Sequence, residues 1–94
     1  MALARVVTFD GVSRERMTEL EREIRDGDRP EGMPATEIAV LHDPEGERSL
    51  VILYFDSDED YRQADAILNA MPADETPGRR ASVARYDVAF RMTV

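Results

Sequence analysis

The longest apolar run in the chain lies at residues 49–55, SLVILYF, where six of the seven residues are apolar or aromatic. A short run of this kind, with β-branched residues and neither Gly nor Pro, is typical of a strand buried on both faces. One face carries Leu50, Ile52 and Tyr54, and the other carries Val51, Leu53 and Phe55. A small antiparallel sheet normally has one polar face. Because neither face is polar here, we expect the chain's own helices to cover one and a second subunit to cover the other.

Alternating apolar positions predict three more strands, at residues 3–9, 36–42 and 81–94. Residues 43–46, with the sequence DPEG, have the preferences of a type I turn, since Asp stands first, Pro second and Gly fourth. This turn joins the second predicted strand to the apolar run, so the two are expected to form a β-hairpin.

Apolar residues at helical spacing predict two helices. The first begins at an N-cap on Ser13 and ends at Gly27, and the second begins at Asp56 or Ser57 and stops before Pro72. Their apolar stripes consist of Met17, Leu20 and Ile24 in the first helix, and of Tyr61, Ala64, Leu68 and Met71 in the second.

The predicted order is β-α-β-β-α-β, which indicates an α+β fold of the ferredoxin-like type with an antiparallel sheet. The chain of 94 residues is expected to form a single domain, residues 1–94. In this plan the first and third strands are central, and helices cover only one face of the sheet. The uncovered face would expose an apolar patch, and a two-fold symmetric homodimer is the simplest way to bury it.

Composition limits the possible partners. The formal net charge of −8 argues against nucleic acid and against an anionic membrane surface. No apolar run approaches the ~20 residues of a membrane span. The chain has no Cys and its N-terminal residues do not resemble a signal peptide, so a cytoplasmic location is expected.

The sequence does not support a metal or cofactor site. Asp56, Asp58 and Asp60 resemble the opening of a calcium-binding loop, but Tyr61 and Ile67 stand where that loop needs Gly and Glu. A single His and no Cys exclude a histidine-rich zinc site within one chain. We therefore expect neither a metal nor a cofactor.

A few polar residues are candidates for chemistry. His42 is the only side chain expected to titrate near neutral pH, and it ends a predicted strand. Arg85 and Asp87 share one face of the last predicted strand. They form either a mutually satisfied pair or a polar feature that orients an anionic or phenolic ligand. Asn69 and Tyr61 on the second helix are further candidates for lining a pocket.

The whole pattern resembles the dimeric α/β-barrel superfamily, and in particular the antibiotic biosynthesis monooxygenase-like proteins. The resemblance is carried by the segments ARVVTFDG, LYFDSDEDYRQA and RRASVARYDVAF and covers essentially the entire chain. It implies a homodimer paired through its sheets, with a cavity between sheet and helices in each subunit. It also implies that Val51, Leu53 and Phe55 look toward the helices and that Leu50, Ile52 and Tyr54 look toward the partner.

The haem-degrading branch of this superfamily uses an Asn on the first strand, a Trp that ends the third and a His on the second helix. None of them is present here, and Phe55 stands at the Trp position, so haem degradation is not expected.

Three functions remain open at the level of sequence. The first is a homodimeric protein that binds a small hydrophobic or aromatic molecule in the cavity, with Val51, Leu53, Phe55, Tyr61, Asn69 and Asp87 as candidate lining residues. The second is a cofactor-independent monooxygenase-like enzyme that acts on phenols, with His42 or Arg85 as candidate catalytic residues. The third is a structural or regulatory dimer whose cavity is filled by its own side chains.

Overall fold

A four-stranded antiparallel sheet with two helices against one face forms the structure, a computed structural model that describes residues 2–27, 32–70 and 77–94. The elements are β1 (Leu3–Asp10), α1 (Arg14–Arg25), β2 (Glu37–Asp43), β3 (Arg48–Phe55), α2 (Asp58–Asn69) and β4 (Arg79–Asp87). The strand order is β2-β3-β1-β4, which places β1 and β3 at the centre of the sheet. The ferredoxin-like order predicted from the sequence is confirmed.

Both helices begin at the serine caps that the sequence predicts. The Ser13 hydroxyl accepts a hydrogen bond from the backbone N–H of Arg16 at 3.1 Å, and the Ser57 hydroxyl accepts one from Asp60 at 3.2 Å. Each bond satisfies one of the backbone donors that a helix leaves free in its first turn. The apolar stripe of α2 is confirmed as far as Leu68, whereas Met71 lies outside the described residues.

The hairpin between β2 and β3 is closed by Asp43. Its side chain accepts a hydrogen bond from the backbone N–H of Gly46 at 3.2 Å and pairs with Arg48 at 3.0 Å. The hydrogen bond from Arg48, followed by that from Gly46, holds the pKa of Asp43 below its ordinary value. A lowered pKa means that these contacts favour the folded state at neutral pH. Their contribution to stability is lost as the pH falls through the pKa that Asp43 has in the folded protein.

The last strand is shorter than predicted. The sequence predicts a strand at residues 81–94, but β4 spans Arg79–Asp87 and residues 88–94 have no strand partner among the described residues. The backbone N–H of Val88 donates to the carbonyl of Ala2 at 2.9 Å, where β1 begins. Leu3, the first residue of β1, stands opposite Asp87, the last residue of β4. The alternation continues in the sequence, but Phe90 is 80% exposed.

The chain after β4 instead crosses the end of the sheet. The Arg91 guanidinium lies 4.2 Å from the centre of the Tyr54 ring and forms an ion pair with Glu37 at the start of β2. Tyr54 and Glu37 stand opposite each other in the pairing of β3 with β2. Both side chains lie on the face of the sheet that points away from the helices.

The core lies between the sheet and the helices and consists of two clusters. One contains Leu3, Leu53, Phe55, Tyr61 and Ala64, and the other contains Val7, Phe9 and Val12, with Val51 packed against it. Phe55 is fully buried, and its ring meets the Tyr61 ring edge-on at 5.5 Å between centres. The face of β3 that carries Val51, Leu53 and Phe55 is therefore the face under the helices.

The opposite face of the sheet has no helix against it in the described structure. Leu50, Ile52 and Tyr54 of β3 lie there, each partly buried. Neither helix in the described parts of the chain is long and apolar enough to cross a membrane.

We expect Phe55→Ala to lower the free energy of unfolding by roughly 3–5 kcal/mol, the range for removal of a buried Phe side chain. The loss arises because the substitution opens a cavity beneath Tyr61 and Leu53. Urea denaturation followed by circular dichroism measures it, with Arg14→Ala at an exposed helix position as the control. A loss below about 1 kcal/mol would contradict the central packing role of Phe55.

Candidate functional site

A buried arginine lies on the helix side of the central strand β1. Arg5 is 3% exposed and alternates with Leu3 and Val7 on that face. Its Nε donates to Asp65 Oδ1 at 2.9 Å, and its Nη2 donates to Asn69 Oδ1 at 3.2 Å. A buried charge is tolerated only when it is paired and hydrogen-bonded, and α2 provides both partners.

The two partners of Arg5 stand one helical turn apart on α2. Asp65 and Asn69 are spaced i,i+4, which places them on the same side of the helix, and the Asn69 amide donates to Asp65 Oδ2 at 3.2 Å. Arg80, near the start of β4, donates to the same Asn69 Oδ1 at 2.6 Å. We call Arg5, Asp65, Asn69 and Arg80 the polar cluster.

Arg85 and Tyr61 lie next to the polar cluster. Arg85 stands directly opposite Arg5 in the pairing of β1 with β4. Its guanidinium is 4.9 Å from the centre of the Tyr61 ring, and its Nη2 lies 2.6 Å from Asp58 Oδ1 at the start of α2. Arg85 therefore pairs with Asp58 and not with Asp87, so the mutual pair considered from the sequence is not formed.

Tyr61 is a neutral phenol at physiological pH. Burial raises its pKa above the ordinary value of 10.0, and the charge of Asp65 adds to the rise, while Arg5 and Arg85 oppose it. The hydroxyl therefore keeps its proton at neutral pH.

The helix side of β4 is accessible beside α2. Val83 is 36% exposed and the Arg85 side chain is 44% exposed, although both lie on the face of the sheet that the helices cover elsewhere. An apolar side chain and a guanidinium are therefore both accessible here, and the guanidinium lies over the ring of Tyr61, which is itself buried. This combination suits an aromatic molecule that carries a polar group.

The candidate lining residues fall into two groups. Tyr61 and Asn69 lie on one face of α2 near Arg85, and Asp87 stands opposite Leu3 at the end of β4. Val51, Leu53 and Phe55 are packed within the core clusters or against them. Tyr61 belongs to the same core cluster as Leu53 and Phe55, so Asn69 and Asp87 are the lining candidates that lie outside the core.

His42 lies at another part of the sheet. Its Nε2 is 2.8 Å from the carbonyl oxygen of Val12, and because a carbonyl only accepts, this nitrogen carries the hydrogen. Only Nδ1 remains for acid–base chemistry. His42 also borders an open concavity of about 310 Å³, with Thr8, Leu41, Asp43, Arg48, Ser49 and Leu50.

His42 and Arg85 are too far apart to serve one small ligand. They lie on the two edge strands, β2 and β4, so three inter-strand spacings, roughly 14 Å, separate them across the sheet. The register adds a displacement of four residues along the strands. In the described ranges, no group of three or more His, Asp or Glu side chains could hold a metal ion.

The sequence-based interpretation missed Arg5, Asp65 and Arg80. The signal for Arg5 was present, because a charged residue between Leu3 and Val7 breaks an otherwise apolar strand face. The signal for Asp65 was its place between Tyr61 and Asn69 at helical spacing. No local pattern identifies Arg80, since its contact with α2 depends on where the last strand begins.

Removing Asp65 should destabilise the protein because it leaves the Arg5 charge buried without its carboxylate. We expect Asp65→Ala to lower the free energy of unfolding by roughly 1–3 kcal/mol. Arg5→Met combined with Asp65→Ala should lower it less than Asp65→Ala alone, since an apolar side chain of similar length replaces the stranded charge. Urea titrations of the wild type, both single variants and the double variant measure this coupling. Strictly additive losses would contradict it.

The Tyr61 hydroxyl should ionise at a higher pH than an ordinary tyrosine, because burial raises its pKa above 10.0. Absorbance at 295 nm across an alkaline titration should resolve one late transition, which Tyr61→Phe removes. The unfolded state loses its phenolic proton near pH 10, before the folded state does. This contribution to stability is therefore complete below pH 10 and is lost as the pH rises toward the higher folded pKa. A titration in which Tyr61→Phe removes no late transition would contradict the burial argument.

Comparison with known proteins supports the fold and little beyond it. No protein-family model matches the chain, and no curated protein does. The chain is similar to a solved structure from Chloroflexus aurantiacus J-10-fl, described as a candidate antibiotic biosynthesis monooxygenase. The TM-score is 0.64, the identity is 12%, and the match covers 99% of this chain and 98% of the other. The chain therefore has the ferredoxin-like α+β fold of the antibiotic biosynthesis monooxygenase-like proteins, as the sequence resemblance predicts.

Proposed function

We propose that the protein is a homodimer, paired through the uncovered faces of its sheets, in which each subunit binds a small hydrophobic or aromatic molecule between sheet and helices. The ligand site is the accessible place beside α2 and β4. The observation that carries the proposal is that Val83 and the Arg85 guanidinium are accessible on the part of the helix-side face that the described helices leave open, with Tyr61 buried beneath Arg85.

The uncovered sheet face supports the dimer. The pairing register assigns to this face residues that are almost all apolar or aromatic near its centre: Ala4, Val6, Ala39, Leu50, Ile52, Tyr54, Ala84 and Tyr86. Leu41 and Tyr86 are more than half exposed. A contiguous apolar patch of this kind usually marks an interface. A second copy of the chain supplies a complementary surface by symmetry.

The place beside β4 supports the ligand. The solvent-facing side of the Arg85 guanidinium offers a stacking surface to an aromatic ring, and Val83 offers apolar contact. The similar solved structure is described as a candidate monooxygenase. If this chain shares such an activity, we expect Arg85 and Val83 to contact the ligand, and not His42, which lies on the opposite edge strand of the sheet.

A second candidate function is a dimer without a ligand. It is favoured by the packing of Leu53, Phe55 and Tyr61, which fill the centre of the space between sheet and helices with their own side chains. The two candidates share the dimer and differ only in whether a small molecule occupies the open edge beside β4.

Native mass spectrometry on gently purified protein tests both parts, and we expect a dimer that carries an additional small mass. Ile52→Glu should produce monomers, because it places a charge at the centre of the uncovered face, whereas Thr18→Glu on exposed α1 should remain dimeric. A monomeric wild type would contradict the proposed assembly.

If the dimer carries no additional mass, 2-naphthol serves as the probe in a ¹⁵N-labelled NMR titration. We expect shifts at the backbone amides of Tyr61 and Val83 at millimolar probe or below. A dimer that shows no shifts there would refute the ligand part and favour the dimer without a ligand.

A further inference from the structure

We propose that the polar cluster is an anion site that takes the carboxylate of an aromatic acid, so that the bound molecule is a carboxylic acid and not only an apolar or phenolic compound. The inference rests on the proposed ligand site beside β4 and names the chemical class that the site selects. The observation that supports it is that Arg5 and Arg80 both donate a hydrogen bond to Asn69 Oδ1.

Two guanidinium groups in the polar cluster meet at one neutral oxygen. Asn69 Oδ1 accepts from Arg5 Nη2 at 3.2 Å and from Arg80 Nη2 at 2.6 Å, so the two donor nitrogens lie within about 6 Å of each other. An amide oxygen accepts hydrogen bonds but carries no net charge. Asp65 pairs with Arg5, which leaves the cluster one positive charge in excess within a chain of net charge −8.

That excess charge resides on Arg80. In the described structure Arg79 pairs with Asp10, Arg85 with Asp58 and Arg5 with Asp65, whereas Arg80 has no carboxylate within 4.0 Å. A guanidinium has five N–H donors. Among the described side chains, Arg80 donates a hydrogen bond to Asn69. Arg80 is exposed, so a ligand can reach the remaining donors.

The remaining donors of Arg80 suit a carboxylate. The planar fork of a guanidinium matches the two oxygens of a carboxylate and binds them through two parallel hydrogen bonds. The bond to Asn69 restricts the Arg80 side chain, so less conformational entropy is lost when the anion binds. A phenolate presents one oxygen and uses only part of this fork.

Arg80 also lies at the right place relative to the aromatic surface. It pairs with Phe9, a residue of the helix side, and Val83 follows three residues later on the same strand and the same side. Three residues span roughly 10 Å of extended strand. A two-ring aromatic acid could place its rings against Val83 and the Arg85 guanidinium while its carboxylate reaches Arg80.

Arg80 has an alternative role as a cation near the C-terminal end of α2, where the helix dipole is negative. Asn69 is the last residue of that helix. In this role Arg80→Gln would lower the stability of the protein slightly and would leave ligand binding unchanged. The two roles therefore differ in a measurable way.

The test compares 2-naphthoate with 2-naphthamide, a neutral compound of nearly the same shape, by NMR titration of the folded protein. We expect naphthoate to bind at least about tenfold more tightly, as for a hydrogen bond to a charged group. Arg80→Gln should abolish this preference, and Arg80→Lys should retain only part of it. Arg79→Gln is the matched control, because it removes a neighbouring arginine that pairs with Asp10, and it should leave the preference intact.

The outcomes separate this inference from the proposed function. Equal affinities for naphthoate and naphthamide would refute the carboxylate site and leave the aromatic site in place. Equal losses in Arg79→Gln and Arg80→Gln would refute it too, because they would indicate general electrostatic attraction. If neither probe, nor 2-naphthol, shifts any amide beside β4 in the folded dimer, both the inference and the proposed ligand site are wrong.

Discussion

The attachment of α2 to the sheet depends on a charge buried beneath that helix. Arg5 stands on a central strand among apolar neighbours, where an unpaired guanidinium would be strongly unfavourable. Its pairing with Asp65 and Asn69 fixes the rotation of α2 about its axis, because both partners must face the strand. Once that rotation is fixed, Tyr61 is directed toward Phe55 and Arg85, and Leu68 toward the core. An apolar contact alone would tolerate several rotations.

The same arrangement explains why one edge of the helix layer is open. With α2 held over β1 and β3, the described part of β4 contacts this helix through the long side chains of Arg80 and Arg85. The shorter side chain of Val83 remains accessible. Because α2 is held over the two central strands, the outer strand β4 lies at the margin of the helix layer. An accessible place at the β4 edge is thus a geometric consequence of anchoring α2 at the centre.

Much of the fold could be predicted from local patterns. The serine caps and the Asp43 turn depend on residues that are close in sequence, and the third strand is recognised by apolar residues on both of its faces. These local features were sufficient to predict the order of the elements and the central position of β3. The end of β4 could not be predicted, since it depends on where β1 begins. Neither could the partners of Arg5 and Arg80, which are 60 and 11 residues away in sequence. Side-chain contacts across such separations leave no periodic signal.

Fold and chemistry therefore rest on different evidence in this protein. The fold follows from patterning, and a structure of 12% identity shares it, but folds of this class host unrelated functions. The candidate chemistry follows from an imbalance of charge. Acidic residues outnumber basic ones by 20 to 12, yet the place beside α2 and β4 gathers three arginines, at positions 5, 80 and 85. In an acidic chain, such a gathering opposes the average electrostatics of the surface. Asp65 pairs with Arg5, and Asp58 pairs with both Arg62 and Arg85, whereas Arg80 pairs with none of the described carboxylates and is the group that we propose binds an anion from solution.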